Sequence, residues 1–304
     1  MRTGRGKTSM HIGIAGTGRM GTAIGARLME MGHSLTVWNR SAEKTKVLAD
    51  AGATVAASPA DLASRAEAVL TILTDAAAIE HVYDGPRGLL AGDLRGKLLI
   101  DMSTVQPQTQ VALGERVRAR GAAHVECPVG GTTGPARQGK LLGFVGSEAD
   151  DFTRAKPLLD QLCRRVEHCG PVGSGALMKF AVNLPLMVYW QALGEAIAMA
   201  RPLNIEPDRL IDLFGDSSGG ANALKVRGPA IAAMLKGVDY PAATFNIDGG
   251  IKDMQQMLEQ GRARGIEFPL VERALACYEE ARQIRGGGDE ISSVSVYWPN
   301  RKTN

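Results

Sequence analysis

A glycine pattern near the start of the chain constrains the fold more than any other feature. Residues 16–21 read GTGRMG, which has the form GxGxxG, and they directly follow the apolar run Ile12–Ala15. A helical pattern from Met20 to Met31 and a second apolar run, Leu35–Trp38, complete a strand–helix–strand unit. Such a turn lets a pyrophosphate reach the backbone at the start of a helix. The pattern predicts a dinucleotide site whose contact residues are Gly16, Thr17, Gly18, Arg19, Met20 and Gly21.

The residues after the second strand indicate which dinucleotide is bound. NAD sites typically place an acidic residue there, where it binds the ribose hydroxyls. This chain instead has Asn39, Arg40 and Ser41, with Lys44 one turn later. A guanidinium can pair with a 2′-phosphate, whereas a carboxylate would repel it. The sequence therefore favours NADP over NAD; the alternative interpretation is a solvated arginine at a loop tip.

Apolar runs alternate with helical patterns through the first half of the chain, which predicts a doubly wound parallel sheet covered by helices. The strand patterns end near Gly170, and helical patterns alone follow. We expect an α/β domain followed by an all-helical domain that includes one long helix, 175–200. The predicted boundaries are a disordered tail over 1–10, a cofactor domain over 11–173 and a substrate and dimerisation domain over 174–304.

The charge balance argues against a nucleic-acid partner. The chain has 35 basic and 32 acidic residues, and Arg2, Arg5 and Lys7 account for the whole excess, so the remainder is neutral. No apolar run reaches the length of about 18 residues that a membrane span needs. The four cysteines show no metal-binding spacing, and we expect free thiols, a cytoplasmic location and no metal.

Lys179 and Asn183 form a second candidate group, four residues apart within the predicted long helix. This spacing places an amine and an amide on one face of a helix, and the residues around them are apolar. Burial favours the neutral form of an amine, which can then exchange a proton with a substrate oxygen. The alternative is a structural lysine whose ammonium group reaches solvent.

Several motifs in order resemble those of the β-hydroxyacid dehydrogenases, which include 3-hydroxyisobutyrate dehydrogenase, tartronate semialdehyde reductase and the glyoxylate/succinic semialdehyde reductases. They are GTGRMG at 16–21, DMST at 101–104, ECPVGGTTGPARQGKL at 126–141, GSGALMKFAVN at 173–183 and FNIDGGIKDM at 245–254. The resemblance implies a Rossmann-type domain and a helical domain similar to that of the 6-phosphogluconate dehydrogenases. It also implies a homodimer or homotetramer formed through the helical domain.

The resemblance assigns roles to individual positions. It implies that Lys179 is the general acid/base and that Asn183 accompanies it at the substrate. The residues expected to bind the substrate are Ser103, Gly130, Gly131 and Thr132, the last three through a loop that receives a carboxylate. The further residues expected at the cofactor are Leu73, Thr74, Thr104, Phe245 and Lys252; the alternative for Lys252 is an exposed lysine in a local ion pair.

One position departs from the family pattern, in which a serine usually stands where this chain has Gly130. The change removes a side-chain donor to the substrate carboxylate, so the identity of the acid stays open. The resemblance implies NADP-dependent hydride transfer to or from a small β-hydroxyacid or its semialdehyde, with no metal. The alternatives are an NADPH-dependent imine reductase, which shares the fold, and a non-catalytic NADP-binding protein.

Overall fold

A computed structural model describes residues 9–238, 240 and 245–301 of the protein. Of the predicted N-terminal tail, only Ser9 and Met10 lie within the described residues. The chain forms two compact units, and the first ends at Lys179 while the second begins at Phe180. No helix in the described ranges is long and apolar enough to cross a membrane.

The first unit is built on one sheet with the strand order β3-β2-β1-β4-β5-β6-β8-β7, and β9 pairs with β8. Its strands are β1 (His11–Ala15), β2 (Ser34–Trp38), β3 (Thr54–Val55), β4 (Ala68–Thr71), β5 (Leu98–Asp101), β6 (Ala123–Glu126), β7 (Val129–Gly130), β8 (Leu141–Gly146) and β9 (Cys163–Gly170). Strands β1 to β6 pair in parallel. The predicted doubly wound, Rossmann-type domain is thereby confirmed.

The sheet departs from the predicted parallel arrangement at one edge. Strand β8 runs antiparallel to β6 and β7, and β9 is parallel to β8. Only the five-residue helix Thr133–Arg137 separates β7 from β8, whereas a parallel connection usually crosses the sheet through a longer helix. The 14-residue helix Ala149–Leu162 supplies such a crossover between β8 and β9.

Both faces of the sheet are covered, as the apolar strand sequences predict. Along β4, Leu70 packs into one buried cluster and Val69 into another. Along β5, Ile100 and Leu99 divide between the same two clusters. The helices of this unit are α1 (Arg19–Glu30), α2 (Lys46–Asp50), α3 (Pro59–Arg65), α4 (Ala76–Asp84), α5 (Pro107–Ala119), α6 (Thr133–Arg137) and α7 (Ala149–Leu162).

Helix α8 (Ser174–Ala200) begins in the first unit and continues into the second. Over the residues that the structure describes, the regular elements of the second unit are helices, with α9 (Pro207–Asp216), α10 (Asn222–Leu235), α11 (Ile247–Ala263), α12 (Pro269–Arg285) and α13 (Val294–Tyr297). Its core surrounds Trp190, which is fully buried, and Tyr278, whose hydroxyl donates to the backbone oxygen of Met187 at 2.9 Å. The predicted all-helical second half is confirmed.

Candidate active site

The glycine turn has the geometry that its sequence predicts. Gly16 has a φ of +101°, and a side chain there would overlap the carbonyl oxygen of Ile72. A side chain at Gly21 would overlap the carbonyl oxygen of Gly16, so this glycine lets α1 pack against the turn. At Gly18, by contrast, a Cβ would meet nothing within 4 Å. The middle glycine therefore faces open space at the start of α1, where a phosphate can approach the backbone.

Asn39 ties the end of β2 to this turn. Its side-chain oxygen accepts a hydrogen bond from the backbone N–H of Thr17 at 3.1 Å, and its amide nitrogen donates to the backbone oxygen of Ser41 at 3.0 Å. Arg40, between them, is exposed and has no ion-pair partner within the described part of the chain. Lys44 is also exposed. The positive side chains are thus available for an anion beside the glycine turn.

A buried carboxylate, Asp101, organises the carboxyl ends of β4 and β5. It accepts hydrogen bonds from the hydroxyl of Thr71 at 2.5 Å, the amide of Gln110 at 2.7 Å, and both the backbone N–H and the hydroxyl of Ser103 at 3.0 and 3.1 Å. Ser103 in turn accepts from the backbone N–H of Leu73 at 2.9 Å. Burial raises the pKa of Asp101, although the hydrogen bonds oppose that rise. The network fixes the loop that follows β4, where two cofactor residues are predicted.

The same network bears on Ser103, a predicted substrate-binding residue. Its side chain is 1% exposed, and its hydroxyl is engaged with both Leu73 and Asp101. The structure therefore shows Ser103 holding the Leu73 backbone, while its role toward substrate stays a prediction. Thr74 is exposed and Thr104 is half-buried.

The predicted carboxylate loop follows β6. Gly131 has a φ of +126°, and a Cβ there would lie 2.8 Å from a methyl carbon of Leu141. Gly130 differs, because a Cβ there would make only ordinary contacts, the nearest at 3.5 Å from the Cβ of Leu142. A glycine is thus required by the backbone at 131 but not at 130. Thr132 is half-buried and directly precedes α6.

Lys179 lies in the second turn of α8 and is buried, with 8% of its surface exposed. Lysine is rarely buried to this extent unless its ammonium group is paired. Asn183 follows four residues later on the same helix, which confirms the helical spacing that the sequence predicts.

In the second unit, Asp253 joins two of the predicted residues. One of its carboxylate oxygens accepts from the side-chain amide of Asn183 at 3.3 Å, and the other lies 3.4 Å from the ammonium nitrogen of Lys252. The Asp253 side chain is 4% exposed, whereas that of Lys252 is 34% exposed. The carboxylate can therefore orient the amide of Asn183 and pair with the partly exposed ammonium group of Lys252.

Phe245 lies two residues before α11 and is half-buried. Asn246 caps the helix by accepting from the backbone N–H of Gly249 at 3.0 Å. A Cβ at Gly249 would lie 2.7 Å from the Phe245 ring, so this glycine makes room for the ring over the first turn of α11.

Comparisons with known proteins agree with this architecture. Residues 11–170 match the family model described as the NAD binding domain of 6-phosphogluconate dehydrogenase. Residues 173–297 match the model described as NAD-binding of NADP-dependent 3-hydroxyisobutyrate dehydrogenase. Human mitochondrial 3-hydroxyisobutyrate dehydrogenase is 32% identical over 271 residues, which are 87% of this chain and 79% of the human protein. The chain belongs to the β-hydroxyacid dehydrogenase family.

Other members of the family match over nearly the full length. Glyoxylate/succinic semialdehyde reductase 1 of Arabidopsis thaliana is 30% identical over 285 residues, 94% of this chain and 97% of that protein. A solved structure of Psf3 in complex with NADP⁺ and 2-OPP is 25% identical, with a TM-score of 0.84, and the match covers 94% of this chain and 99% of that one. This β-hydroxyacid dehydrogenase family member is accordingly an NAD(P)-dependent oxidoreductase acting on hydroxyl groups.

Two of the residues that organise the site were not among the predicted ones. Asp101 and Asp253 lie within the motifs DMST and IKDM, but the sequence analysis gave them no role. For Asp101 a signal was present, because an acidic residue ends an apolar strand sequence that is buried on both faces. The role of Asp253 depends on a contact with a residue 70 positions away, which no local pattern indicates.

Proposed function

We propose that this protein is an NADP-dependent oxidoreductase that interconverts a small β-hydroxyacid and its semialdehyde, with Lys179 as the general acid/base. The observation that carries the proposal is the burial of Lys179 near the start of α8. With 8% of the residue exposed, Lys179 is largely shielded from bulk water, and this burial favours proton exchange with a bound oxygen over exchange with solvent. Positioned proton transfer of this kind accelerates a reaction by roughly 10²–10⁴.

The chain's own residues bind and orient, while the nicotinamide supplies hydride transfer when bound. In the reductive direction Lys179 donates a proton to the carbonyl oxygen of the substrate, and in the oxidative direction it accepts the proton of the hydroxyl group. The loop of Gly130, Gly131 and Thr132 receives the substrate carboxylate through backbone N–H groups. Asn183 donates a second hydrogen bond to the substrate, with its amide oriented by Asp253.

The preference for NADP is supported by the residues after β2. Asn39 occupies the position at which an NAD enzyme presents a carboxylate to the ribose, and it is instead hydrogen-bonded to the glycine turn. Arg40 is exposed and positively charged next to it. A guanidinium there binds a 2′-phosphate through charge-assisted hydrogen bonds, and it has no comparable partner in NAD.

The substrate class is supported by the names of the relatives, which act on 3-hydroxyisobutyrate or on glyoxylate and succinic semialdehyde. All of these compounds combine a carboxylate with an alcohol or aldehyde. Within the class, Gly130 distinguishes this chain, since the backbone there does not require a glycine and a Cβ would make only ordinary contacts. We therefore expect the preferred acid to differ from that of family members that have the serine.

The experiment that tests this proposal is an assay of several candidate substrates with each of the two cofactors. Purified protein is assayed for NADPH and NADH oxidation with glyoxylate, succinic semialdehyde, tartronate semialdehyde, methylmalonate semialdehyde and a cyclic imine. We expect turnover of at least one carboxylate-bearing aldehyde, with kcat/KM at least tenfold higher for NADPH. Turnover of the imine alone would overturn the proposal in favour of imine reduction, and binding of NADPH without any turnover would indicate a non-catalytic protein.

We also propose that the protein is a homodimer or homotetramer formed through the helical unit. Large apolar side chains there are strongly exposed, among them Met199 at 84%, Val226 and Ile284 at 72%, and Leu270 at 69%. Exposed apolar surface of this kind is typical of subunit interfaces. Light scattering coupled to size-exclusion chromatography measures the mass; a monomer would contradict this proposal. The cytoplasmic location stays a prediction.

A further inference from the structure

A second buried carboxylate, Glu126, ends strand β6 and is fully buried. Its Oε1 atom accepts hydrogen bonds from three backbone N–H groups: those of Gly173 at 2.8 Å, Gly175 at 2.6 Å and Ala176 at 3.3 Å. These donors lie at the start of α8, some fifty residues further along the chain. Glu126 therefore connects the end of a sheet strand to the first turn of the helix that carries Lys179.

Glu126 supplies the cap that the helix itself lacks. The first N–H groups of a helix have no partner within the helix, and a side chain of the preceding residue usually accepts from them. In α8 the preceding residue is Gly173, which has no side chain and a φ of +100°. The carboxylate fills that role from a distant strand, and its negative charge is favourable at a helix N-terminus.

The surrounding glycines make room for this arrangement. A side chain at Gly146, the residue of β8 paired with Glu126, would overlap the carboxylate. A Cβ at Gly175 would lie 3.0 Å from Oε1 and would overlap the backbone oxygen of Phe144. The start of α8 thus sits directly against the sheet. A shorter side chain at position 126 is therefore expected to shift the helix itself, because no flexible side chain lies between them to adjust.

The position of Glu126 in the chain gives this contact a second consequence. Two residues after it, Pro128 begins the connection to the loop 129–132, for which we propose binding of the substrate carboxylate. Lys179 is only three residues after Ala176, the last donor to Glu126. One side chain therefore joins the base of the carboxylate loop to the first turn of α8, one turn before the proposed proton donor.

We propose that Glu126 is a positioning residue, which sets the place of Lys179 relative to the carboxylate loop by fixing the first turn of α8. This inference depends on the proposed role of Lys179. What matters is the length of the side chain and the acceptor at its end. Glu126→Asp keeps the charge and shortens the reach by one methylene, whereas Glu126→Gln keeps the reach and an oxygen acceptor.

The neutral side chain is already compatible with the site. Burial raises the pKa of Glu126 to about 7 against the opposing effect of the three N–H donors, and the nearby charge of Asp101 adds to the rise. The uncharged acid is therefore well populated near neutral pH. Glutamine resembles that form, and we expect it to replace Glu126 better than aspartate does.

The test is a double-mutant cycle on kcat, with the dissociation constant of NADPH measured for every variant. We expect Glu126→Asp to lower kcat by about tenfold with NADPH affinity changed less than threefold. Glu126→Gln should retain at least a third of the parental kcat. In the Lys179→Ala background, Glu126→Asp should cause no further loss of kcat.

Val117→Ala, a buried change on α5 away from both residues, serves as a control for a general loss of stability and should leave kcat unchanged.

Three results would overturn the inference. The first is a further tenfold loss of kcat when Glu126→Asp is added to Lys179→Ala. Glu126 would then act independently of the lysine. The second is a tenfold loss in Glu126→Gln, which would show that charge rather than reach matters; this variant keeps the inference testable if Glu126→Asp does not fold. The third is a parental kcat in Lys179→Ala alone, which would overturn the proposed function as well and is recognised from that single variant.

Discussion

The side-chain oxygen of Asn39 accepts a hydrogen bond from the backbone N–H of Thr17, 22 residues earlier, at 3.1 Å. This bond closes the loop after β2 onto the glycine turn, and the exposed Arg40 directly follows Asn39 in the chain. Residue 39 is an asparagine, so it presents no carboxylate to the ribose hydroxyls. Cofactor choice is therefore expected to depend on Arg40.

Arg40→Asp is predicted to weaken NADPH binding by roughly 10–100-fold, which corresponds to the loss of about 1.5–3 kcal/mol from one charge-assisted contact. NADH binding should stay the same or improve, since NADH has no 2′-phosphate to be repelled. The measurement is fluorescence titration of both cofactors. Arg120→Asp, which reverses an exposed charge at the end of α5, is the control, and equal NADPH affinity in the two variants would refute the role of Arg40.

Asp253 is predicted to support turnover by orienting Asn183 and holding Lys252. Asp253→Asn removes the charge that pairs with the ammonium group of Lys252 and adds a donor next to the amide of Asn183. We expect kcat/KM to fall by at least tenfold while the protein stays folded. Asp248→Asn, on the same helix but paired with Arg282 at the surface, provides the matched control. Similar kinetics in both variants would mean that the Asp253 contacts have no functional effect.

The two glycines of the carboxylate loop are predicted to respond differently to substitution. Gly130→Ser should fold like the parent, because its Cβ makes only ordinary contacts, and the new hydroxyl should lower KM for carboxylate substrates. Gly131→Ala should be destabilised by about 1–3 kcal/mol, since a side chain at a φ of +126° is strained. Chemical denaturation and steady-state kinetics measure these effects, and equal stability losses at both positions would contradict the loop geometry.

The raised pKa of Glu126 makes a specific prediction for stability against pH. A carboxyl group whose folded-state pKa, about 7, exceeds its unfolded value, 4.5, binds its proton more tightly in the folded protein. Its contribution is therefore fully present below pH 4.5 and is lost as pH rises to about 7, at up to about 1.4 kcal/mol per pH unit. The free energy of unfolding of the parent, relative to Glu126→Gln, should fall across this range. A difference that does not change with pH would contradict the buried, weakly acidic carboxyl group.

Much of the fold could be predicted because its signals are local. The glycine turn, the apolar strands and the long helix follow from local patterns, and the long helix was predicted over 175–200 and is observed as Ser174–Ala200. The reversed direction of β8 was not predicted, since a strand sequence carries no sign of its direction in the sheet. The structure shows that only a short segment with the five-residue helix α6 connects β7 to β8, whereas a parallel connection usually needs a longer crossover.

The predicted site residues were those with distinctive side chains or motif positions, whereas the residues that hold them in place were missed. Ser103 was predicted as a substrate contact, but its bond to Leu73 depends on the pairing of β4 with β5. Glu126 caps a helix that starts 48 residues later, with a glycine at the cap position. A sequence pattern shows that a residue is acidic and follows a strand; it does not show which distant N–H groups it meets.

The central claim is that Lys179 exchanges the proton, and the kcat of Lys179→Ala on the best substrate tests it most directly. We predict a loss of about 100-fold or more, with NADPH affinity and the thermal unfolding midpoint close to those of the parent. Lys179→Arg should not restore turnover, because a guanidinium hardly gives up a proton, whereas added methylamine should partly restore it in Lys179→Ala. A Lys179→Ala protein with near-parental kcat would contradict the account.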